Sequence, residues 1–415
     1  MRFEHWAFDR RLLTILLIVV VQMIGTAMVH PILPLYAQGE FSLSPEVITL
    51  LLTAFFAAQF VAGPFIGRLS DRRGRLPVLL LSQVGTVIAF LMIGFAQSAG
   101  LLFAARILDG VTGGNIVVAL AYVTDIMPEH RRTQALGYVM AAFGLGFIFG
   151  PAMGGVLASE LGPRAPFIVA AAAALVTVLI TWLTLEETLS PEDQALNRHD
   201  KRARIDPAAL VSNVPLMAVM CVTFVGRFGF GLLIGTFALF AEAVLFAGDD
   251  FAAVSLGVGL LLMVVGIGQF FTQIVLLPAA LKRASDPGIV MLGSVARALA
   301  LLILAVAMGP GLAALSMVLF AIGSGLLMPA LQSLVTKTVS KSLRGAILGL
   351  HQSVMNLAVI FSTAVSGVLF AIDPTLPNWL GAILYSLSIV PGVLLWFWAR
   401  NNGFGQGAKV AVPAR

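Results

Sequence analysis

Twelve apolar runs, each long enough to cross the hydrocarbon core of a bilayer, divide this chain almost from end to end. A core of about 30 Å requires about 20 predominantly apolar residues in helical conformation. The runs begin near residues 12, 46, 77, 100, 134, 165, 214, 254, 288, 312, 345 and 378. Residues of the set AVILMFWYC make up 59% of the chain and charged residues 11%, more apolar surface than a water-soluble protein of this size buries. The pattern predicts an all-α membrane protein with twelve transmembrane helices.

The basic residues indicate the orientation of these helices. Of the 25 Lys and Arg residues, all but four fall in the N-terminus, the even-numbered loops or the tail, and only Arg164 falls in an odd-numbered loop. Because Lys and Arg are in excess in cytoplasmic loops, both termini are predicted to be cytoplasmic. The first run, Leu12 to about Tyr36, lacks a small-residue cleavage site, so it is interpreted as helix 1 and not as a signal peptide. We expect a multi-pass protein of a bacterial inner membrane, surrounded by lipid.

A polar stretch separates the twelve runs into two sets of six. It extends from Glu186 to Arg204, and its composition is typical of a solvated linker. An offset of 212 residues aligns the halves, for example Gly155-Val-Leu157 with Gly367-Val-Leu369. We predict an N-terminal six-helix bundle (residues 1–186), a cytoplasmic linker (187–211), a C-terminal six-helix bundle (212–400) and a cytoplasmic tail (401–415).

Three short motifs in the first half resemble those of the major facilitator superfamily. Motif A lies between helices 2 and 3, motif B in helix 4, and motif C, the antiporter signature, in helix 5. The residues that match motif A are Gly67, Asp71, Arg72, Gly74 and Arg75. Motif B is represented by Arg106-Ile-Leu-Asp109-Gly110, and motif C by Gly146, Gly150, Pro151, Gly154 and Gly155.

Within the superfamily the chain is most similar to the drug:proton antiporters, including the tetracycline exporters, through Pro31-Ile-Leu-Pro34 and Met328-Pro329. The resemblance implies two parallel six-helix repeats with the substrate site between them. It implies a secondary transporter, not an enzyme, that exports a small lipophilic organic compound in exchange for protons by alternating access. No cofactor is expected beyond the proton gradient, and we expect a monomer. The alternative is a facilitator or proton symporter for a small anionic metabolite.

Motifs A and C have mechanical roles in this family. The motif A acid, here Asp71, is expected to face the start of helix 11 near Ser342 to Gly345, where the helix dipole favours an anion. Arg75 is expected to reach Asp125 at the cytoplasmic end of helix 4. The alternative is that these charges only set the topology. The glycines of motif C share one helix face, which forms either a hinge beside Pro151 or a close packing surface.

Arg106 and Asp109 carry the predicted proton coupling. A charge at the bilayer centre costs on the order of 2.5–3.5 kcal/mol even on the lenient insertion scale, so it requires a partner or a cavity. The two residues are three apart on helix 4 and therefore share a face. Burial opposes the ionised form of an aspartate, whereas a nearby arginine favours it, so substrate arrival at Arg106 is expected to shift the balance. The alternative is a permanent structural ion pair.

The chain departs from the tetracycline exporters at three acid positions. Gln22 replaces the acid of helix 1, and Ala89 and Arg297 fall where the acids of helices 3 and 9 are expected. We hypothesise that the proton site has moved to Asp109 in helix 4. Export of a tetracycline–metal complex by their mechanism is therefore not expected.

Sparse polar side chains in the apolar helices predict the substrate cavity, because binding pockets are mostly apolar with few polar groups. They are Gln22, Asn115, Arg227, Gln269, Gln273, Gln332 and Asn356. Arg227 either binds an anionic group or extends to the cytoplasmic interface. Arg297 is expected to have a structural role, and His30 is expected at the outer interface.

Other function classes lack their sequence signatures. The sequence has no Gly-rich phosphate loop of the ATPase type, no zinc-ligand pattern, and no nucleophile with a plausible base outside the helices. A single cysteine, Cys221, excludes an intrachain disulfide framework. The net charge of +5 comes from loops between apolar runs, so we predict neither a nucleic-acid partner nor a metal site.

Overall fold

The computed structural model describes residues 10–113, 115–190, 192, 212–339 and 344–402. Within them, twelve helices are long and apolar enough to span a membrane, and no residue forms a strand. The helices are α1 (Arg10–Phe41), α2 (Pro45–Arg73), α3 (Arg75–Gly94), α4 (Ala99–Ile126), α5 (Glu129–Leu161), α6 (Ala165–Thr184), α7 (Val214–Leu245), α8 (Phe251–Leu281), α9 (Asp286–Ala305), α10 (Pro310–Lys337), α11 (Arg344–Ile372) and α12 (Leu376–Trp398). The predicted all-α fold class is confirmed.

Local sequence explains where several helices begin. The Ser98 hydroxyl accepts a hydrogen bond from the Leu101 amide at the start of α4, and Asn213 accepts one from Leu216 at the start of α7. Such caps satisfy backbone donors that the first helical turn leaves free. Proline occupies the first turn of α6, α9, α10 and α12, where its missing N–H has no cost. In a bilayer this internal satisfaction of backbone groups is essential.

The chain forms two compact units, which we call unit 1 and unit 2. Unit 1 comprises Met1–Leu43, Ala54–Lys201 and Asp250–Met263, and unit 2 comprises Ser44–Thr53, Arg202–Asp249 and Val264–Arg415. Each unit therefore includes one short helical segment from the opposite half of the sequence. The predicted bundle boundaries stay a prediction, because most of the linker and the tail from residue 403 lie outside the described residues.

Glycine contacts explain both of these exchanged segments. In unit 1, a Cβ atom on Gly155 of α5 would lie 2.6 Å from the Ser255 carbonyl oxygen of α8. In unit 2, a Cβ atom on Gly367 of α11 would lie 2.6 Å from the Pro45 carbonyl oxygen of α2. Small residues at such crossings let helix backbones approach closely. Gly155 and Gly367, which the 212-residue offset aligns, thus have the same role: each allows close contact with a helix from the other half of the sequence.

Each unit has its own apolar core. In unit 1 the core includes Ile15, Ile18, Tyr122 and Val139, all buried. In unit 2 it includes Val219, Val290, Leu331 and Leu334. Large apolar side chains such as Trp182 and Leu183 are exposed on outer helix faces, as lipid contact requires. These cores fix the helices that carry the charged residues described below.

Candidate functional site

The most deeply buried ion pair in the described part of the chain joins Arg106 to Asp109 on α4. Arg106 Nη1 donates to Asp109 Oδ2 over 2.6 Å, and the two side chains are only 1% and 4% exposed. The spacing of three residues places both on one helix face, as predicted. The contact between Arg106 and Asp109 is therefore present, and their role in proton coupling stays a prediction.

An aromatic ring supports the arginine of this pair. Arg106 Cζ lies 4.2 Å from the centre of the Phe55 ring of α2, a favourable distance for a cation–π contact. A Cβ atom on Gly110 would overlap the Phe55 carbonyl oxygen, so only glycine permits this approach of α4 to α2. Arg106 Nε and Nη2 have no hydrogen-bond partner in the described residues. The guanidinium thus keeps two donors for another group.

His30 lies against the same aromatic cluster as Arg106. Its ring stacks on Phe56 with a centroid distance of 6.2 Å and meets the edge of Phe55 at 5.7 Å. Its predicted place at the outer interface stays a prediction, and α1 continues beyond it through Pro31 and Pro34 as far as Phe41. His30 Nδ1 is buried and has no partner among the described residues. Sequence reasoning did not identify Phe55, since nothing local distinguishes it from other apolar residues.

The motif A arginine connects the ends of three helices in unit 1. Arg75 Nη1 donates to Asp71 Oδ1 over 2.5 Å, and Arg75 Nε donates to Asp125 Oδ2 over 2.9 Å. The contact that the sequence predicts between Arg75 and Asp125 is therefore present. The predicted partner of Asp71, from Ser342 to Gly345, includes residues outside the described part of the chain, so this contact stays a prediction. Arg72 and Gly67 lie at the end of α2 beside this group.

Glu187 completes this group by capping α3. Its carboxylate accepts hydrogen bonds from the Arg75 amide at 2.8 Å and from the Leu76 amide at 3.0 Å. Gly74 has a φ of 102° and no Cβ, and a Cβ atom there would overlap the Glu187 carboxylate. A carboxylate at a helix N-terminus is favoured by the exposed amides and the dipole. The chain segment after α6 is thereby tied to the start of α3, a contact that sequence reasoning missed.

The glycines of motif C pack α5 against α1. A Cβ atom on Gly150 would lie 2.6 Å from Ala27 Cβ, and one on Gly154 would lie 2.6 Å from the Met28 carbonyl oxygen. Gly146 similarly adjoins Met23. The face is therefore a close packing surface, with Pro151 inside the helix. Its action as a hinge stays a prediction.

Unit 2 contains a second buried arginine, which has no carboxylate partner in the described residues. Arg297 of α9 is 1% exposed and lies between two rings, with Cζ 4.5 Å from the centres of both Phe320 and Tyr385. Its Nη1 donates to the Gly226 carbonyl oxygen of α7 over 3.2 Å. These contacts agree with the structural role that was predicted for Arg297. Tyr385 was not among the predicted residues.

Arg227 of α7 is the residue directly after Gly226, whose carbonyl oxygen accepts the hydrogen bond from Arg297. Its Cζ lies 4.8 Å from the centre of the Phe230 ring, its side chain is partly exposed, and its Nε has no partner in the described residues. No carboxylate of the described residues forms an ion pair with it. Arg227 therefore presents a positive charge without a protein counter-charge.

The other predicted cavity residues divide between the units. Gln22 is buried in unit 1, and the side chain of Asn115 lies outside the described part of the structure. In unit 2, Gln269 is partly exposed, Gln273 and Gln332 are exposed, and Asn356 accepts a hydrogen bond from Gln352 over 3.1 Å. Their role in substrate binding stays a prediction.

Comparison with known proteins gives the family. The sequence model of the Major Facilitator Superfamily matches residues 15–248, more than half of the chain. The chain belongs to the major facilitator superfamily. As a member of this superfamily the protein is a multi-pass membrane transporter and not an enzyme.

Relatives and solved structures extend over nearly the whole chain. Tetracycline resistance protein, class D, of Salmonella ordonez is 30% identical over 92% of this chain and 95% of its own length. Multidrug resistance protein 2 of Bacillus subtilis (strain 168) is 28% identical over 85% of this chain and 87% of its own length. The structure of the nucleoside transporter NupG has a TM-score of 0.73 at 16% identity and covers 94% of this chain and 99% of its own. At this identity the structural likeness shows the fold alone.

Proposed function

We propose that this superfamily member exports a small lipophilic organic compound across the bacterial inner membrane in exchange for protons. The resistance proteins among its relatives support export of small organic molecules, and alternating access of two repeats is the motion expected of the fold. The observation that carries the coupling is the buried pair of Arg106 and Asp109. The transporter works as a monomer, with the proton gradient as its energy source and no cofactor.

Asp109 is the proton carrier in this proposal. An arginine beside a carboxyl group favours the ionised form of that group, whereas burial opposes it. A modest change in the contact between Arg106 and Asp109 therefore alters the protonation of Asp109. When Asp109 takes up a proton, Arg106 loses its counter-charge and keeps only the Phe55 ring. The two free donors of Arg106 then favour a substrate group or water. Release of the proton restores the ion pair and displaces that group.

The motif A group is the proposed cytoplasmic gate. Arg75 holds both Asp71 and Asp125, and Glu187 holds the amide of Arg75 itself. A change in any of these contacts alters how the start of α3 is tied to α2 and α4. Opening to the cytoplasm therefore requires rearrangement of this group, with the motif C face permitting movement of α5 against α1.

Proton movement in proteoliposomes tests the coupling. Vesicles with an acidified lumen would receive ethidium, tetracycline or 1-naphthoate, and lumenal pH would be recorded for wild type and Asp109→Asn. We expect proton release evoked by at least one probe, lost in Asp109→Asn. The matched control is Asp373→Asn, in the loop before α12. Hydrogen bonds from the hydroxyl and amide of Thr375 hold the pKa of Asp373 below its ordinary value, so this carboxylate does not titrate in the assay.

The same vesicles separate export from the second candidate function, proton-coupled uptake or facilitated passage of an anion. Arg227, which has no carboxylate partner in the described part of unit 2, favours that candidate, and Arg106 with its two unpartnered donors would be a second ligand for the anion. Uptake of protons together with 1-naphthoate, in the same direction, would replace the antiport proposal by symport. Full proton release in Asp109→Asn would remove Asp109 from the mechanism.

A further inference from the structure

Unit 2 carries an excess of positive charge inside its membrane-spanning helices. The acids in those helices are Glu46, Glu242 and Asp286, and each lies in the first or last turn of its span. Arg227 and Arg297 instead lie in the middle of α7 and α9. Ionisable residues inside transmembrane segments face a partner, a cavity or a substrate path, because an unpaired charge is costly there. The question for each of the two arginines is therefore which group compensates its positive charge.

Arg297 has the contacts of a structural residue, and only its Nε is without a hydrogen-bond partner in the described residues. Its guanidinium lies between two rings and donates to the Gly226 carbonyl oxygen, which also accepts a hydrogen bond from the Tyr385 hydroxyl over 2.7 Å. Gly229 leaves room for this arrangement, since a Cβ atom there would lie 2.6 Å from the Tyr385 ring. Arg297 and Tyr385 thus fix the α7 backbone at the residue immediately before Arg227. They act as positioning residues.

Arg227 differs from Arg297 because its side chain is partly exposed, although its Nε is buried. It lies on an enclosed helix, since 67% of the most apolar window of α7 is buried, the largest share among the twelve spans described. Thr223 and Gly231, four residues before and after Arg227, both pack against α11, through His351 and Ser362 respectively. Arg227 lies on that polar side of the helix.

Aromatic rings flank the same position. The rings of Phe224 and Phe228 lie 5.9 Å apart, and both are partly exposed, as is Phe230 beneath the guanidinium. The guanidinium of Arg227 is a planar fork of donors, a geometry that matches a carboxylate or another oxyanion, and its buried Nε has no partner in the described residues. The surroundings therefore combine one anion-binding group with aromatic surface.

We propose that Arg227 is the anion-binding residue of this transporter and that its substrates are amphipathic organic anions with an aromatic body. The inference rests on the proposed export function and specifies its substrate class. The anionic group of the substrate supplies the counter-charge that Arg227 lacks among the described residues, and the aromatic body contacts the phenylalanine rings. Selectivity for charge is then located on α7, apart from the proton carrier of α4.

Equilibrium binding to the purified full-length protein tests this without requiring proton coupling. The probes are 1-naphthoate, 9-anthroate and 1-pyrenecarboxylate, each compared with its neutral amide, so that only the charge differs within a pair. We expect at least one acid to bind tenfold or more tightly than its amide. Arg227→Gln should abolish the preference, and Arg227→Lys should keep part of it. Arg400→Gln, an exposed residue just after α12, is the matched control and should keep all of it.

Thermal unfolding of the unliganded protein separates ligand binding from a structural role. If Arg227 awaits an external anion, Arg227→Gln removes an uncompensated charge and its Tm should equal or exceed that of wild type. A Tm several degrees lower would assign Arg227 to the fold and overturn the proposal. Equal binding of acid and amide in all three pairs, or an acid preference retained in Arg227→Gln, would also overturn it. If the anion-binding proposal failed in this way and ethidium or tetracycline still evoked proton release in the proteoliposomes, the export proposal would remain valid.

Discussion

The two units neutralise their buried arginines in different ways. In unit 1, Arg106 has a carboxylate three residues away at 2.6 Å. In unit 2, Arg297 has two aromatic rings and a backbone carbonyl instead. A carboxylate can accept a proton, whereas a ring and a carbonyl cannot. Protonation can therefore change the charge balance at the Arg106 site, whereas the contacts of Arg297 offer no such change.

On the proposals above, this difference places proton coupling in unit 1 and anion binding in unit 2. A proton carrier must change its charge during the cycle, which only the Arg106–Asp109 pair of the two arginine sites can do. An anion site benefits from a charge that never changes, and an arginine remains protonated at all relevant pH values. Four tests follow, from the largest expected effect to the smallest. Each either makes the arginine site of one unit resemble that of the other or perturbs one of these sites.

Asp109→Leu makes unit 1 resemble unit 2 and should have the largest effect. Removal of one partner of a buried ion pair leaves an uncompensated charge and costs about 3–5 kcal/mol. We expect a large fall in Tm of the purified protein, measured by intrinsic fluorescence. The double variant Arg106→Met with Asp109→Leu removes both charges and should recover most of the loss. No recovery in the double variant would show that the site depends on packing and not on charge.

Most of the fold follows from the sequence, because each helix must cross the bilayer and satisfy its own backbone. The predicted start of α1 near residue 12 compares with Arg10 in the structure, and the predicted start of α7 at residue 214 with Val214. The end of α1 was predicted near Tyr36, beyond both prolines, and the helix ends at Phe41 in the structure. Apolar periodicity cannot locate such an end.

The candidate site was predicted only where its residues are charged or close in sequence. Arg106 and Asp109 are three residues apart, so helix geometry alone brings them together. Phe55, Glu187 and Tyr385 join the site from helices or segments distant in sequence. Their positions follow from tertiary packing, and a phenylalanine or tyrosine in an apolar run carries no local mark of its contact. A glycine such as Gly229 indicates a close contact only when the neighbouring helix is known.

Gly229→Ala tests the positioning of the arginine site in unit 2. The added Cβ atom would lie 2.6 Å from the Tyr385 ring, and overpacking of a close contact costs about 1–3 kcal/mol. We expect a lower Tm and a weaker preference for aromatic acids over their amides. The control is Gly349→Ala on α11, where no atom lies within 4 Å of the new Cβ. A normal preference in Gly229→Ala would separate Tyr385 from the anion site.

Phe230→Asp transfers the arrangement of unit 1 to unit 2. Position 230 is three residues after Arg227, as Asp109 is after Arg106, so the new carboxylate can pair with the arginine. We expect the preference for aromatic acids to fall about tenfold, equivalent to about 1.4 kcal/mol. Phe230→Asn loses the same ring without adding a charge. If both variants lost the preference equally, the ring and not the counter-charge would determine anion binding.

Tyr385→Phe should have the smallest effect, because it removes one of the two donors to the Gly226 carbonyl and keeps the ring. A net contribution of about 1 kcal/mol is typical of a neutral hydrogen bond, and Arg297 Nη1 still donates to the same oxygen. We expect a small decrease in Tm and an acid preference that is reduced but present. Combination with Arg297→Gln removes both side-chain donors, and the loss should then exceed the sum of the single effects, because the carbonyl would retain neither side-chain partner. Strictly additive losses would show that the two donors act independently and that the backbone before Arg227 is held by packing alone.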